Sequence, residues 1–160
     1  MAIIQLLVLG TDKNDRARSR FDAAHELGHL VIHGQLVWGI PEVEKQAHQF
    51  AAAFLMPRPD IVSELPHQVD WPVLFELKRK WQVSLAALLM RAKTLGLMTE
   101  ATYLTAVKAA SARGWRRVEP VPLGDPELPM AMARLLSGPS CVGFKALLPA
   151  DVLDSIAAAN

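Results

Sequence analysis

Residues 16–33 of this chain read RARSRFDAAHELGHLVIH and carry a helical pattern. The apolar positions of this stretch are Phe21, Ala24, Leu27, Leu30 and Val31. They recur at spacings of three and four, which is the period of one helical face. Asn14 or Asp15 precedes the pattern, where a short polar side chain caps a helix. The sequence therefore predicts a helix over residues 16–33.

Two histidines and a glutamate within this helix form the pattern His25-Glu26-x-x-His29. Residues four apart lie on one helical face about one turn apart, so both imidazoles can point at one zinc ion. Glu26 lies beside that ion, where its carboxylate can take a proton from water activated by the metal. A helix that carries these residues by chance is the alternative interpretation, and the spacing favours the metal site.

A second helix is predicted to face the first. Pro41 occupies a favoured first helical position, and Pro57 stops the helix after about Met56. Ala47 and Ala51 lie on one stripe of this helix, where small side chains allow another helix to approach closely. The second helix is therefore expected to supply whatever the metal site still lacks.

A catalytic zinc site has three protein ligands and one open position, so a third ligand is expected on this second helix. Glu44 and His48 lie one turn apart on the same stripe, and spacing alone does not separate them. His33 continues the histidine series eight residues after His25, but it drifts around the helix and lies at its end. It is expected to cap the helix or support a ligand rather than bind the metal.

Two stretches in this order, RFDAAHELGHLVIH at 20–33 and EKQAHQFAAAFLMP at 44–57, closely resemble the ImmA/IrrE-type metallo-endopeptidase family. In that family a glutamate three residues before the alanine of the second motif is the third zinc ligand. The resemblance therefore selects Glu44 over His48. Position 48 is usually Asn or Asp there, so His48 departs from the pattern and is a candidate substrate-side group or competing ligand.

The resemblance implies an α+β, predominantly helical fold with a zincin-like core, a small edge sheet and zinc between two helices. It implies zinc-dependent hydrolysis of a peptide bond, with His25, His29 and Glu44 on the metal and Glu26 as general base. The implied substrate is a helix-turn-helix transcriptional repressor. Candidate donors to the oxyanion are His48, Arg20 and Tyr103, although each is more often a structural residue.

Composition limits the partners, the disulfides and the cellular location that can be expected for this chain. The chain has 160 residues, 51% of them apolar, and a net charge of +1, so no global field favours nucleic acid or membrane as a partner. The single cysteine, Cys141, excludes an intramolecular disulfide. The apolar run Ile3 to Leu9 is predicted to be a buried strand rather than a signal sequence, because no basic residue precedes it. A cytoplasmic protein is expected.

Four segments are predicted. Residues 1–70 form the zincin-like core, and residues 71–118 form a helical, helix-turn-helix-like subdomain packed on that core. The subdomain's helices are expected over 72–81, 84–95 and 99–112. A proline-rich linker at 119–129 and a helical tail at 130–160 follow.

The basic residues Lys78, Arg79 and Lys80 in the helical subdomain suggest a different function. The alternative is a non-enzymatic transcriptional or toxin-antitoxin-like regulator, with a structural metal core and a basic face that binds DNA or a repressor partner. Against this, the helix over 84–95 is largely apolar and offers few side chains that can read base edges. A packing subdomain with a solvated basic face is the preferred interpretation.

Overall fold

The computed structural model describes residues 15–33 and 40–127, and within these ranges the regular elements are all helical. They are α1 (Arg16–Gly28), a π-helical turn (His29–His33), α2 (Pro41–Leu55), α3 (Arg58–Ile61), α4 (Trp71–Trp81), α5 (Leu85–Thr94) and α6 (Glu100–Ala112). The predicted strand at 3–9, the edge sheet and the tail helices lie outside the described residues. None of the helices in the described ranges is long and apolar enough to cross a membrane.

The first helix begins and ends where the sequence predicts, but its last turn is different. Asp15 caps α1, its carboxylate accepting the N–H of Arg18 at 2.9 Å. The helix continues to His33, but from His29 onward it widens into a π-helical turn. Such turns are rare and occur frequently at functional sites.

The second helix packs closely against the first, as the alanines predict. Pro41 opens α2, and Ala47 and Ala51 are fully buried. α1 and α2 contact each other more extensively than any other pair of described elements. Gly28 permits this approach, because a Cβ at that position would lie 3.0 Å from a ring carbon of Phe50. Small residues on both helices therefore bring the two backbones together.

The three predicted helices after residue 70 are confirmed to within a residue or two at each end. Each begins at a side chain that accepts a backbone N–H three residues on: Asp70, Ser84 and Thr99. α4 ends at Gln82, whose left-handed conformation (φ of 56°) turns the chain towards α5. The pattern did not predict α3, a single turn that forms just after the proline that stops α2.

A hydrophobic core lies among these helices and reaches back to the end of α2. Its fully buried members include Met56, Ile61, Leu74, Val83, Leu88 and Ala106. Arg91, which is 9% exposed, donates from Nε to the carbonyl of Met56 at 3.0 Å. The helix that carries Glu44 therefore ends inside the core of the helices that follow it.

The basic face predicted around Lys78 is wrong for that residue. Lys78 is 2% exposed, and its Nζ lies 2.5 Å from the Glu119 carboxylate. The other two cations are exposed but paired, Arg79 with Glu76 and Lys80 with Glu64. Lys78 shares the apolar stripe of α4 with Leu74, Leu77 and Trp81, so the helical period itself turns it inward. DNA binding stays a prediction, without Lys78 as a surface contact.

The segment after α6 is fixed to the helices at several points. Trp115 packs edge-on against Trp71, with ring centroids 4.9 Å apart. Glu119 accepts the N–H of Leu85 at 3.0 Å as well as the lysine, and the Asp125 carbonyl accepts a hydrogen bond from Arg16 at 2.8 Å. The chain divides into two compact units between Pro126 and Glu127. Nearly all of the second unit lies outside the described residues.

Candidate metal centre

The structure brings together His25, His29 and Glu44. Nε2 of His25 lies 3.1 Å from Nε2 of His29 and 3.2 Å from one carboxylate oxygen of Glu44. The other Glu44 oxygen lies 3.5 Å from Nε2 of His29. The two histidines project from one face across the junction of α1 and the π-helical turn, and Glu44 comes from the first turn of α2. The ligand atoms of the three side chains therefore lie close enough together to hold one metal ion.

These separations fit a metal ion. Bonds of about 2.0–2.2 Å from zinc to nitrogen and oxygen, at tetrahedral angles, place ligand atoms about 3.3–3.5 Å apart. The 3.5 Å separation lies in this range, and the 3.1 and 3.2 Å separations are slightly shorter, so small side-chain shifts would admit the ion. Neutral imidazole nitrogens and carboxylate oxygens are both ligands that zinc takes in proteins. A divalent cation matches this donor set of two nitrogens and a carboxylate.

Exposure differs among the three side chains. His25 and His29 are 12% and 4% exposed, whereas Glu44 is 41% exposed. The cluster is therefore closed on the histidine side and open beside the carboxylate. A catalytic zinc site needs such an opening, because substrate and water must reach the fourth position.

The electrostatics of the cluster favour a neutral first histidine. Burial lowers the pKa of His25 below its ordinary value of 6.5, and the nearby charges of His48 and His29 lower it further. The carboxylates of Glu44 and Glu26 act in the opposite direction. With its pKa lowered, the His25 ring is neutral at pH 7, which is the protonation state that binds a metal.

Glu26 lies next to the cluster on α1. It is half-buried on α1, next in sequence to His25, and its charge acts on the His25 ring. It does not belong to the three-residue cluster. A carboxylate in this place is near enough to act on a group held by the cluster without being part of it.

Comparison with known protein families supports the resemblance found in the two motifs. The family described as the IrrE N-terminal-like domain, a peptidase family, matches residues 4–93. The chain belongs to this family. No curated protein and no solved structure matches the chain significantly. The resemblance drawn from the two motifs is thereby confirmed, and membership of the IrrE-like family implies a metallopeptidase.

His48 lies beside the three-residue cluster and is not part of it. Its ring stands edge-on to that of His25, with centroids 4.4 Å apart and planes at 75°. Its Nδ1 lies 2.9 Å from the Glu44 carbonyl, so the N–H donates there and that nitrogen is unavailable to a metal. Sequence spacing left Glu44 and His48 open as the third ligand, and the structure brings the Glu44 carboxylate to the two histidines.

The other candidates have structural contacts. His33 donates from Nε2 to the side-chain oxygen of Gln46 at 2.8 Å, joining the π-helical turn to α2, which fits a supporting role. Sequence reasoning missed Gln46, and no pattern in the chain marks it. Tyr103 packs on the core of α4–α6, with Nζ of Lys93 4.8 Å from its ring centroid. Arg20 lies half-buried on α1.

Proposed function

We propose that this chain is a zinc-dependent endopeptidase with a zincin-like core, in which His25, His29 and Glu44 hold the metal and Glu26 is the general base. The observation that carries the proposal is the convergence of two Nε2 atoms and one carboxylate within 3.1–3.5 Å beside an adjacent glutamate. The matched peptidase family supplies the reaction type.

The chain's own residues would divide the work. Zinc, when bound, supplies Lewis acidity to polarise the scissile carbonyl and activate water. His25 and His29 bind through Nε2 and close the site from one side, while Glu44 leaves the other side open to a peptide. Glu26 takes a proton from the attacking water onto a carboxylate oxygen as the new C–O bond forms. It then delivers that proton to the amine nitrogen as the C–N bond breaks.

The proposed substrate is a helix-turn-helix transcriptional repressor. The support for it is the family resemblance, since characterised members of the ImmA/IrrE type cleave such repressors. The site agrees in one respect, because Glu44 is 41% exposed and an extended segment of another protein can reach the metal centre from that side. A repressor encoded by a neighbouring gene is the first candidate.

The decisive experiment is incubation of zinc-loaded protein with that repressor, followed by mass spectrometry of the products. Wild-type protein is expected to bind one zinc and cut the repressor at a defined bond. Glu26→Gln is expected to keep the zinc and lose cleavage by about 10²- to 10⁴-fold, the range for loss of a general base. Glu42→Gln, on the exposed first turn of α2, is the matched control and should cleave normally.

Two outcomes contradict the proposal. If wild-type protein shows no zinc by elemental analysis after loading and dialysis, the metal centre is wrong. If Glu26→Gln cleaves at the wild-type rate, the general-base assignment is wrong even though a peptidase remains. His25→Ala is expected to lose both zinc and cleavage, which separates loss of the metal from loss of the base.

A further inference from the structure

His25 lacks the support that a metal-binding histidine usually has. A ligating histidine almost always donates its second ring N–H to a carboxylate, a carbonyl or water, and that bond fixes the ring's orientation. Nδ1 of His25 is buried and has no hydrogen-bond partner among the described residues. Its Nε2 nevertheless points at His29 and Glu44. Some other contact must hold the ring in that rotamer.

His48 makes that contact. Its ring stands edge-on to the His25 ring at 4.4 Å between centroids, and the ring of Phe21 lies 5.7 Å from the His48 ring, also between centroids. The His48 ring is itself fixed, because its Nδ1–H donates to the Glu44 carbonyl one helical turn back. An aromatic edge held at this distance restricts rotation of the His25 ring about its Cβ–Cγ bond.

We propose that His48 is a positioning residue of the metal centre, whose ring holds His25 in the metal-binding orientation in place of a hydrogen bond to Nδ1. This inference rests on the proposed zinc site and adds a residue to it. His48 is exposed, and its ring acts through its edge contact with the His25 ring, while its N–H anchors the ring to the Glu44 carbonyl. His48 thereby contacts two of the proposed ligands. Its ring packs on His25 of α1, and its N–H bonds to the backbone of Glu44 one turn back on α2.

Three variants separate the ring from its hydrogen bond. His48→Phe keeps an aromatic ring and removes the N–H, His48→Gln keeps a side-chain N–H and removes the ring, and His48→Ala removes both. Gln49→Ala, at the exposed neighbouring position on α2, is the matched control. Zinc dissociation constants are measured by competition with a chromophoric chelator, and helix content by circular dichroism confirms that each variant is folded.

His48→Ala and His48→Gln are expected to weaken zinc binding about 10- to 100-fold, the range for loss of a group that orients a ligand. His48→Phe should retain most of the affinity, and Gln49→Ala should match the wild type. Metal-free wild-type protein should also show nuclear Overhauser contacts between the ring protons of His25 and His48, and His48→Phe should preserve the corresponding contact.

The outcomes distinguish this inference from the proposed function. Wild-type protein that fails to bind zinc overturns the metal centre itself. Wild-type protein that binds zinc while His48→Ala binds it equally well overturns the positioning role alone. If His48→Gln keeps the affinity and His48→Phe loses it, the hydrogen bond rather than the ring supports the site, and the inference as stated is wrong.

Discussion

The helices α1 and α2, which carry the candidate metal centre and are called the metal helices below, are packed differently from α4–α6, the helical unit. Between α1 and α2 the buried residues are small: Ala24, Gly28, Ala47 and Ala51. Within α4–α6 they are large, with Leu74, Leu85, Leu88 and Leu89 all buried to 1% exposure or less. The first pair also leaves Val31, Ile32 and Phe54 well exposed.

The two kinds of packing contribute differently, one to the placement of side chains and the other to the stability of the fold. Burial of a large apolar side chain contributes roughly 1.5–3 kcal/mol, whereas an alanine methyl contributes about 0.8 kcal/mol. Small residues therefore stabilise the metal helices weakly, but they bring the backbones close enough for His25, His29 and Glu44 to meet. The α4–α6 core stabilises itself and holds the end of α2 through Met56. We expect the metal helices to depend on zinc and the helical unit to be independent of it.

The largest expected effect is on the helical unit. Lys78→Met leaves the Glu119 carboxylate, 16% exposed, without its cation, and loss of one partner from a buried pair costs about 3 kcal/mol or more. Urea denaturation should show this loss, and a second change, Glu119→Gln, should recover part of it. Lys80→Met is the control, since its exposed ion pair contributes less than about 1 kcal/mol. Equal effects of the two lysine variants would mean that Lys78 is not buried.

Zinc should stabilise only the metal helices. At a free zinc concentration of one hundred times the dissociation constant, the expected stabilisation is about 2.7 kcal/mol, or a roughly hundredfold slowing of amide exchange. Hydrogen-exchange mass spectrometry should show it in peptides from 16–33 and 41–55 and not in those from 71–112. His29→Ala should abolish the response. Equal protection throughout would show that both regions open as one cooperative unit.

Gly28→Ala tests the close approach of the helices. Alanine favours a helix by about 1 kcal/mol over glycine, but the added Cβ would lie 3.0–3.2 Å from three Phe50 side-chain atoms. Overpacking costs about 1–3 kcal/mol, so we expect a net destabilisation of about 1 kcal/mol and weaker zinc binding. Thermal unfolding and chelator competition measure the two effects. In the Phe50→Ala background the cost should shrink, and additive effects would contradict the contact.

The smallest expected effect concerns acid stability of the helical unit. The pKa of Glu64 lies below its ordinary value of 4.5, chiefly because Lys80 donates a hydrogen bond to its carboxylate. This carboxylate therefore stabilises the fold above about pH 4.5, and the contribution disappears as pH falls through the lowered pKa. Because Lys80 is exposed, solvent limits the effect to about 0.5 kcal/mol. The urea midpoints of the wild type and of Glu64→Gln are compared at pH 7 and pH 3. The difference between the two pH values should be smaller in Glu64→Gln, and an equal difference would contradict the contribution of Glu64.

Several features of the fold were predictable because they depend on neighbours along the chain. The spacing of His25 and His29 follows from the helical period, and caps such as Asp70 and Ser84 act within three residues. Ala47 and Ala51 marked the face of α2 that packs on α1. The burial of Lys78 was also visible in principle, since it lies on the stripe of leucines along α4, but its charge favoured a surface interpretation.

From the amino-acid pattern alone follow the approximate ends of the helices, the residues of the first helix that share a face, and the motifs of a peptidase family. The packing of separate helices was needed to show which side chain of α2 meets the two histidines, which histidine ring contacts His25, and which lysine is buried against Glu119. The physical reason is that helical periodicity acts over a few residues, whereas these contacts depend on how closely and at what register separate helices pack.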